Sequence, residues 1–286
     1  MILERSPRTH AAQEPLYDSN ARKAPIASTL GDLYLYRSLV RLLVARDLTV
    51  RYKRSLLGVT WTVLNPLLTS LVMWAVFNRL FHASVPGNAP YIVYLLAGMI
   101  AINYFQQGIM VTASSLATSA HMLTKVYVPP VVFAVAAACS GAVNFAFGLI
   151  PLLAFQLALG PGVSWMIVLL PLPLCFMLAM IAGIGLFIST FAIRFDDVLN
   201  LVNVLLLIVS YLTPTFYPVT IIPVAARKYL YINPVYSYVN VFRYLEYGGP
   251  HPTLFSLLIV FLTGTVGLSV GISVFARRWP TVAVLL

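Results

Sequence analysis

One segment constrains the chain more than any other. In RDLTVRYKRSLLGVTW (46–61) the charged side chains Arg46, Asp47, Arg51, Lys53 and Arg54 crowd the first nine positions, and the next charge after Arg54 is Arg79. Lys and Arg collect on the cytoplasmic flank of a membrane span, while a charge at the bilayer centre costs a few kcal/mol. The abrupt stop therefore marks an entry into lipid from the cytosolic side. Only 9% of residues are charged, against roughly a quarter in a soluble domain, so lipid rather than water must cover the fold. The first apolar stretch comes too late, and without a small-residue cleavage site, to be a secretory signal. The net charge of +10 points to anionic headgroups rather than nucleic acid, because ten of the 18 Lys and Arg precede Ser55. Cys139 and Cys175 fall in apolar stretches and make neither a disulfide framework nor a metal set.

A helix needs about 20 apolar residues to cross a hydrocarbon layer of roughly 30 Å. Spacing between charges and turn signals predicts six such spans: 55–78, 91–113, 130–157, 165–191, 198–216 and 254–275. VPGNAP (85–90), GPGVS (160–164) and the polar turn around Arg194, Asp196 and Asp197 separate them. Six crossings put both termini on one side. With that side cytosolic, the outer loops hold only Arg79, Arg227, Lys228 and Arg243, and the other fourteen basic residues lie inside. The predicted fold is all-α and polytopic: a cytosolic variable tail at 1–32, an interfacial amphipathic helix at 33–54, and a six-span domain at 55–286.

Between the last two spans, 213–250 holds five prolines yet stays apolar, and eight of the 16 tyrosines fall between Tyr211 and Tyr247. No piece of it is long enough to cross. Two short re-entrant helices dipping from the outer face are expected, since irregular backbone at membrane depth is tolerated only against protein or water.

The chain offers no energy source of its own. None of its four lysines is followed by Ser or Thr, so there is no GK[ST] phosphate loop. Every Asp, Glu and His falls in a predicted loop or span end, unlike the intramembrane acids of ion-coupled carriers. No carboxylate pair or Ser/His/Asp set suggests catalysis. A transport subunit driven by a separate motor is implied.

RDLTVRYKRSLLGVTWTVLNPL (46–67) and NPVYSYVNVFRYL (233–245), with the six-span layout and the aromatic segment before the last span, resemble ABC-2-type permeases that export polysaccharides. Those include the membrane subunits for O-antigen, teichoic acid, capsule and cell-wall galactan. The resemblance implies a homodimer in the bacterial cytoplasmic (inner) membrane, two copies of a cytosolic ABC ATPase that supply ATP and Mg, and a polysaccharide carried on a polyprenyl pyrophosphate. No cofactor is expected in this chain.

Within 33–54, Leu35, Leu39, Leu42 and Leu43 share a face opposite Arg37 and Arg41, as in a helix lying along the inner leaflet. Arg46 and Lys53 break that pattern. Arg46, Arg51, Lys53 and Arg54 either snorkel to ordinary phospholipid phosphates or receive the pyrophosphate of a lipid-linked substrate. Thr62, Asn65 and Thr69 form a polar stripe in the first span, and Asn200, Asn203 and Ser210 another in the fifth. Interhelical bonding explains such stripes; the resemblance adds a conduit lining. Asn103, Gln106, Gln107 and Ser114 in the second span read as a packing feature. Tyr211, Phe216, Tyr217, Tyr236, Tyr238, Phe242 and Tyr244 form either an interfacial girdle or a track for sugar rings. The resemblance makes SAHMLTKVY (119–127) a coupling helix for the ATPase, with Ser119, His121, Met122, Lys125 and Tyr127 at the contact. Two rival readings remain: a drug or small-lipid permease, and a membrane glycosyltransferase, for which the outer loops offer only Glu246 as an acid.

Overall fold

The computed structural model describes residues 31, 33–53, 55–81, 89–123, 128–159, 162–195 and 197–283. Most of the expected tail, Arg54, Lys125 and Tyr127 lie outside the described residues, as do the side chains of Arg79 and His121. Among the described residues the chain is helical throughout: α1 (Arg37–Tyr52), α2 (Thr60–Phe81), α3 (Tyr91–Thr118), α4 (Ala120–Leu123), α5 (Val131–Leu159), α6 (Pro171–Ala192), α7 (Asp197–Leu212), α8 (Val224–Arg227), α9 (Pro234–Tyr247) and α10 (Leu254–Ala283), with short 3-10 turns at Trp165–Leu169, Val219–Ile221 and Lys228–Ile232.

Among the described residues five helices are long and apolar enough to cross a membrane: α2, α3, α5, α6 and α10. The expected fifth span, 198–216, forms a shorter helix. α7 has 16 residues, about 24 Å at 1.5 Å per residue, because Pro214 disfavours the helical conformation at Thr213 and has no N–H to donate. The expected fourth span opens instead on a 3-10 turn. Ser164 caps it by accepting from the Met166 N–H at 3.3 Å, and Pro171 then starts α6 at a position that needs no N–H.

α3 is the axis of the fold. All its residues from Tyr91 to Ile102 are buried, and α2, α5, α6, α7 and α9 pack on it. α2 and α7 each lean on α3 rather than on one another. The tightest pair is α6 with α10. A Cβ built on Gly183 would overlap the Gly267 carbonyl, one on Gly271 the Gly183 carbonyl, and one on Gly264 would come 2.7 Å from the Phe176 carbonyl. Lipid tails are as apolar as Leu, so membrane helices gain from close backbone approach rather than from burying leucines, and small residues permit it.

The amphipathic face of α1 divides in two. Leu43 is buried with Leu116, Val132, Phe133 and Phe275, and Leu39 and Val40 pack beside it. Leu35 and Leu42, expected with Leu39 and Leu43 on one face lying along the inner leaflet, are 72% and 66% exposed, whereas Leu43 is buried in protein. Leu42 lies about 100° of helical rotation from Leu43, so one row grips the protein while its neighbour is left to lipid.

Gly183→Val should force α6 and α10 apart and cost about 1–3 kcal/mol or more. A lowered melting temperature in detergent checks it, with Val266→Leu at an exposed site of α10 as the unperturbed control.

Candidate functional site

A cavity of about 270 Å³ opens where α1 hands over to α2. Ser55 and Gly58 shape the turn between the two helices: the Gly58 N–H donates to Ser55 Oγ at 3.1 Å, and Gly58 takes φ +49°, in the left-handed region. That turn carries Arg51 and Tyr52 to the rim of the cavity and starts α2 with Trp61, Thr62 and Asn65 on its wall. α3 contributes Asn103, Tyr104 and Gln107, and α5 contributes Asn144 and Phe145. Tyr52 Oη donates to Asn144 Oδ1 at 2.9 Å and is also bonded to the Thr62 hydroxyl, which ties α1, α2 and α5 together at the rim. Among the described residues Arg51 is the only charged group in the lining. A guanidinium at the mouth of an amide-lined, aromatic-walled cavity can meet a phosphate and offer donors and acceptors beyond it.

The four basic candidates therefore separate. Arg51 faces the cavity and Lys53 is exposed beside it. Arg46 does not line the cavity: its guanidinium pairs with Asp47 at 3.0 Å and donates from Nη1 to the Met122 thioether at 3.0 Å. It thus bridges α1 to α4, inside the segment expected to couple to the ATPase. There Ser119 is buried as the residue ending α3, and Met122 is 39% exposed.

The two polar stripes also differ. Thr62 and Asn65 line the cavity, and Thr69 donates to the Asn65 carbonyl at 2.9 Å. On α7, Asn200 and Asn203 are exposed and Ser210 is buried, and none reaches the cavity. The second-span cluster splits as well. Gln106 donates to the Leu206 carbonyl at 3.0 Å and fastens α3 to α7, and Ser114 bonds back to its own helix. Asn103 and Gln107 turn instead into the cavity, so reading them as packing residues is corrected. Their spacing of four was the available signal. Tyr52, Tyr104 and Asn144 carried none that singled them out.

At the opposite end of α3 the segment 213–250 folds over the helix start, and Arg243 organises it. Arg243 is 4% exposed, so its predicted place in an outer loop is corrected. Its Nη1 donates to the Pro214 carbonyl at 3.0 Å, and its Nη2 to the Tyr94 and Thr215 carbonyls at 3.1 and 3.3 Å. The guanidinium lies 3.5 Å from the centre of the Tyr94 ring. Tyr94 Oη donates in turn to the carbonyls of Pro214 and Tyr217 at 2.9 and 3.0 Å, and Tyr91 Oη to that of Phe216. Gly98 clears the space: a Cβ there would lie 2.5 Å from Arg243 Nη2. Asn233 caps α9 through the Val235 N–H at 3.0 Å and donates to Thr213 Oγ1 at 2.8 Å.

This packing corrects part of the expected aromatic track. Tyr238 and Phe242 are fully buried and Tyr236 is 8% exposed, so they build the core that supports the segment. Tyr211 is 61% exposed and pairs with the partly exposed Phe216 at 6.2 Å; Tyr217 and Tyr244 are also partly exposed. Glu246, expected in a loop, is fully buried, and its carboxylate oxygens meet no hydrogen-bond donor among the described residues. A sealed carboxyl of this kind cannot act as an acid on a substrate from outside.

Among the described residues, five long apolar helices and a cavity with Arg51 at its mouth describe a multi-pass membrane protein. Residues 38–247 match the ABC-2 type transporter family, and the chain belongs to it. It is 29% identical over 249 residues to the O-antigen export system permease protein RfbA of Myxococcus xanthus, covering 86% of this chain and 95% of that protein. An RfbA of Klebsiella pneumoniae is 26% identical over 246 residues, covering 85% and 93%.

Arg243→Lys keeps the charge and loses the planar fork, leaving at least one of three buried carbonyls without its donor. A destabilisation of about 1–3 kcal/mol is expected. It should register as a lower melting temperature and as faster thiol labelling of a cysteine placed at Thr215 in a background lacking Cys139 and Cys175.

Proposed function

We propose that this chain is the transmembrane subunit of an ATP-driven exporter that moves a polyprenyl-pyrophosphate-linked polysaccharide out of the cytoplasm. Two copies form the conduit, two ABC ATPase subunits supply ATP and Mg, and α7 completes six crossings, with both termini cytosolic in the cytoplasmic membrane. The observation that carries the reading is Arg51 at the mouth of an amide-lined cavity where the first span enters lipid. It offers a phosphate contact and a polar chamber to one amphiphile arriving from the inner leaflet. The RfbA relatives are permeases of O-antigen export systems, which supports the same cargo class.

The ATPase meets the segment that contains Met122. Because Arg46 bridges α1 to Met122, a push on that segment reaches the helix that carries Arg51. Transport then links nucleotide binding at the motor to the rim of the cavity.

Depleting the chain should leave polyprenyl-pyrophosphate polysaccharide accumulating inside the cell. A drug or small-lipid permease would leave that lipid at its normal level. Arg51→Lys, correctly inserted, should weaken binding of the lipid pyrophosphate by about 1–3 kcal/mol, because an ammonium cannot reproduce a two-pronged phosphate contact. Unchanged binding and export would reduce Arg51 to a membrane anchor. Met122→Asp should leave ATP hydrolysis by the assembled complex largely intact while export falls at least tenfold, as a paired hydrolysis and export assay would show.

A further inference from the structure

The cavity is more specialised than a phosphate contact requires. Its lining includes the primary amides of Asn65, Asn103, Gln107 and Asn144. Among the described residues the side chains of Asn103 and Gln107 have no protein hydrogen-bond partner, and Asn144 uses only its oxygen, towards Tyr52. An amide carries two donors and an acceptor with two lone pairs, which matches the alternating demands of neighbouring sugar hydroxyls. Leaving such groups unmet around an alkyl chain is costly, so a lipid tail is a poor occupant. A phospholipid headgroup would satisfy Arg51 and leave the amides of Asn103 and Gln107 without a partner.

Size limits the occupant further. At about 270 Å³ the cavity falls just short of the roughly 300–1,000 Å³ that hold drug-sized ligands. It has room for one sugar ring. Tyr104 and Phe145 close the cavity with apolar side chains that are themselves buried.

We propose that the cavity of each protomer binds the first sugar of the lipid-linked glycan, a pyranose bonded to the pyrophosphate. Its hydroxyls meet Asn103, Gln107 and Asn144, and its phosphate meets Arg51. The proposal rests on the lipid-linked glycan reading and adds to it a point of selection. The exporter inspects the sugar next to the lipid, whatever polymer follows.

The test uses the full complex with its ATPase in phosphatidylcholine nanodiscs and two probes, farnesyl pyrophosphate and N-acetylglucosaminyl farnesyl pyrophosphate. The sugar-bearing probe should bind at least tenfold more tightly. Asn103→Leu and Gln107→Met, close in volume to the native residues, should erase that difference, while Arg51→Ala weakens both probes together. Gln106→Met, outside the cavity, should keep the preference. Equal binding of the two probes, both lost with Arg51→Ala, would overturn the sugar site and leave the lipid-pyrophosphate reading standing. Binding of neither probe would overturn both. Loss of the sugar preference on adding phosphatidylglycerol at equal mole fraction to the probe would assign the cavity to bulk headgroups and overturn the proposal.

Discussion

The guanidinium of Arg243 makes the far side of the fold possible. Segment 213–250 combines short helices, 3-10 turns and prolines, and such backbone cannot satisfy its own carbonyls as a continuous helix does. Arg243 supplies donors from the side, to Pro214, Thr215 and Tyr94, and Tyr94 and Tyr91 add their hydroxyls to the neighbouring carbonyls. The bonds reach both the turn after α7 and the first turn of α3, so the irregular segment is fixed to the most buried helix of the molecule. Tyr238 strengthens the attachment by donating to the Val260 carbonyl of α10 at 2.9 Å. The fixing of this segment follows from one charged side chain whose guanidinium is bonded to backbone carbonyls rather than to a carboxylate.

The rest of the bundle is assembled on different principles. The α6–α10 pair is close because glycines remove the side chains between two backbones, whereas α2 stands against α3 and α5 across a polar void. Tyr52 links α1, α2 and α5 at the rim of that void, and Arg46 links α1 to α4. Rigid packing and open cavity thus occupy separate parts of the bundle, joined by α3. The charged rim belongs to the open part, where a substrate entering sideways from the membrane would first meet protein.

Much of the architecture was legible in the sequence because charge and turn residues delimit the apolar stretches. Boundaries set by a polar break, as at Tyr91 and Leu254, agree with the helices that form. The end of α7 was missed because 213–216 is as apolar as the helix before it, and only backbone chemistry at Pro214 separates them. Site residues were legible on one helix at a time. The stripe from Thr62 to Asn65 could be read from spacing, but its partners Asn103 and Asn144 lie on helices that only packing brings together. Arg243 and Glu246 were misplaced for one reason: a sequence shows that a residue is charged, and cannot show that neighbouring carbonyls and rings will enclose it.

Gly98 carries a consequence for how such a protein can change over generations. The room it leaves is filled by the Arg243 guanidinium, so a larger residue at 98 displaces the cation, and a smaller residue at 243 opens a void beneath Thr215. Neither position can drift freely while the other stays fixed. The two sites, 145 residues apart in the chain, form one inherited unit, and departures that survive should come as a matched pair.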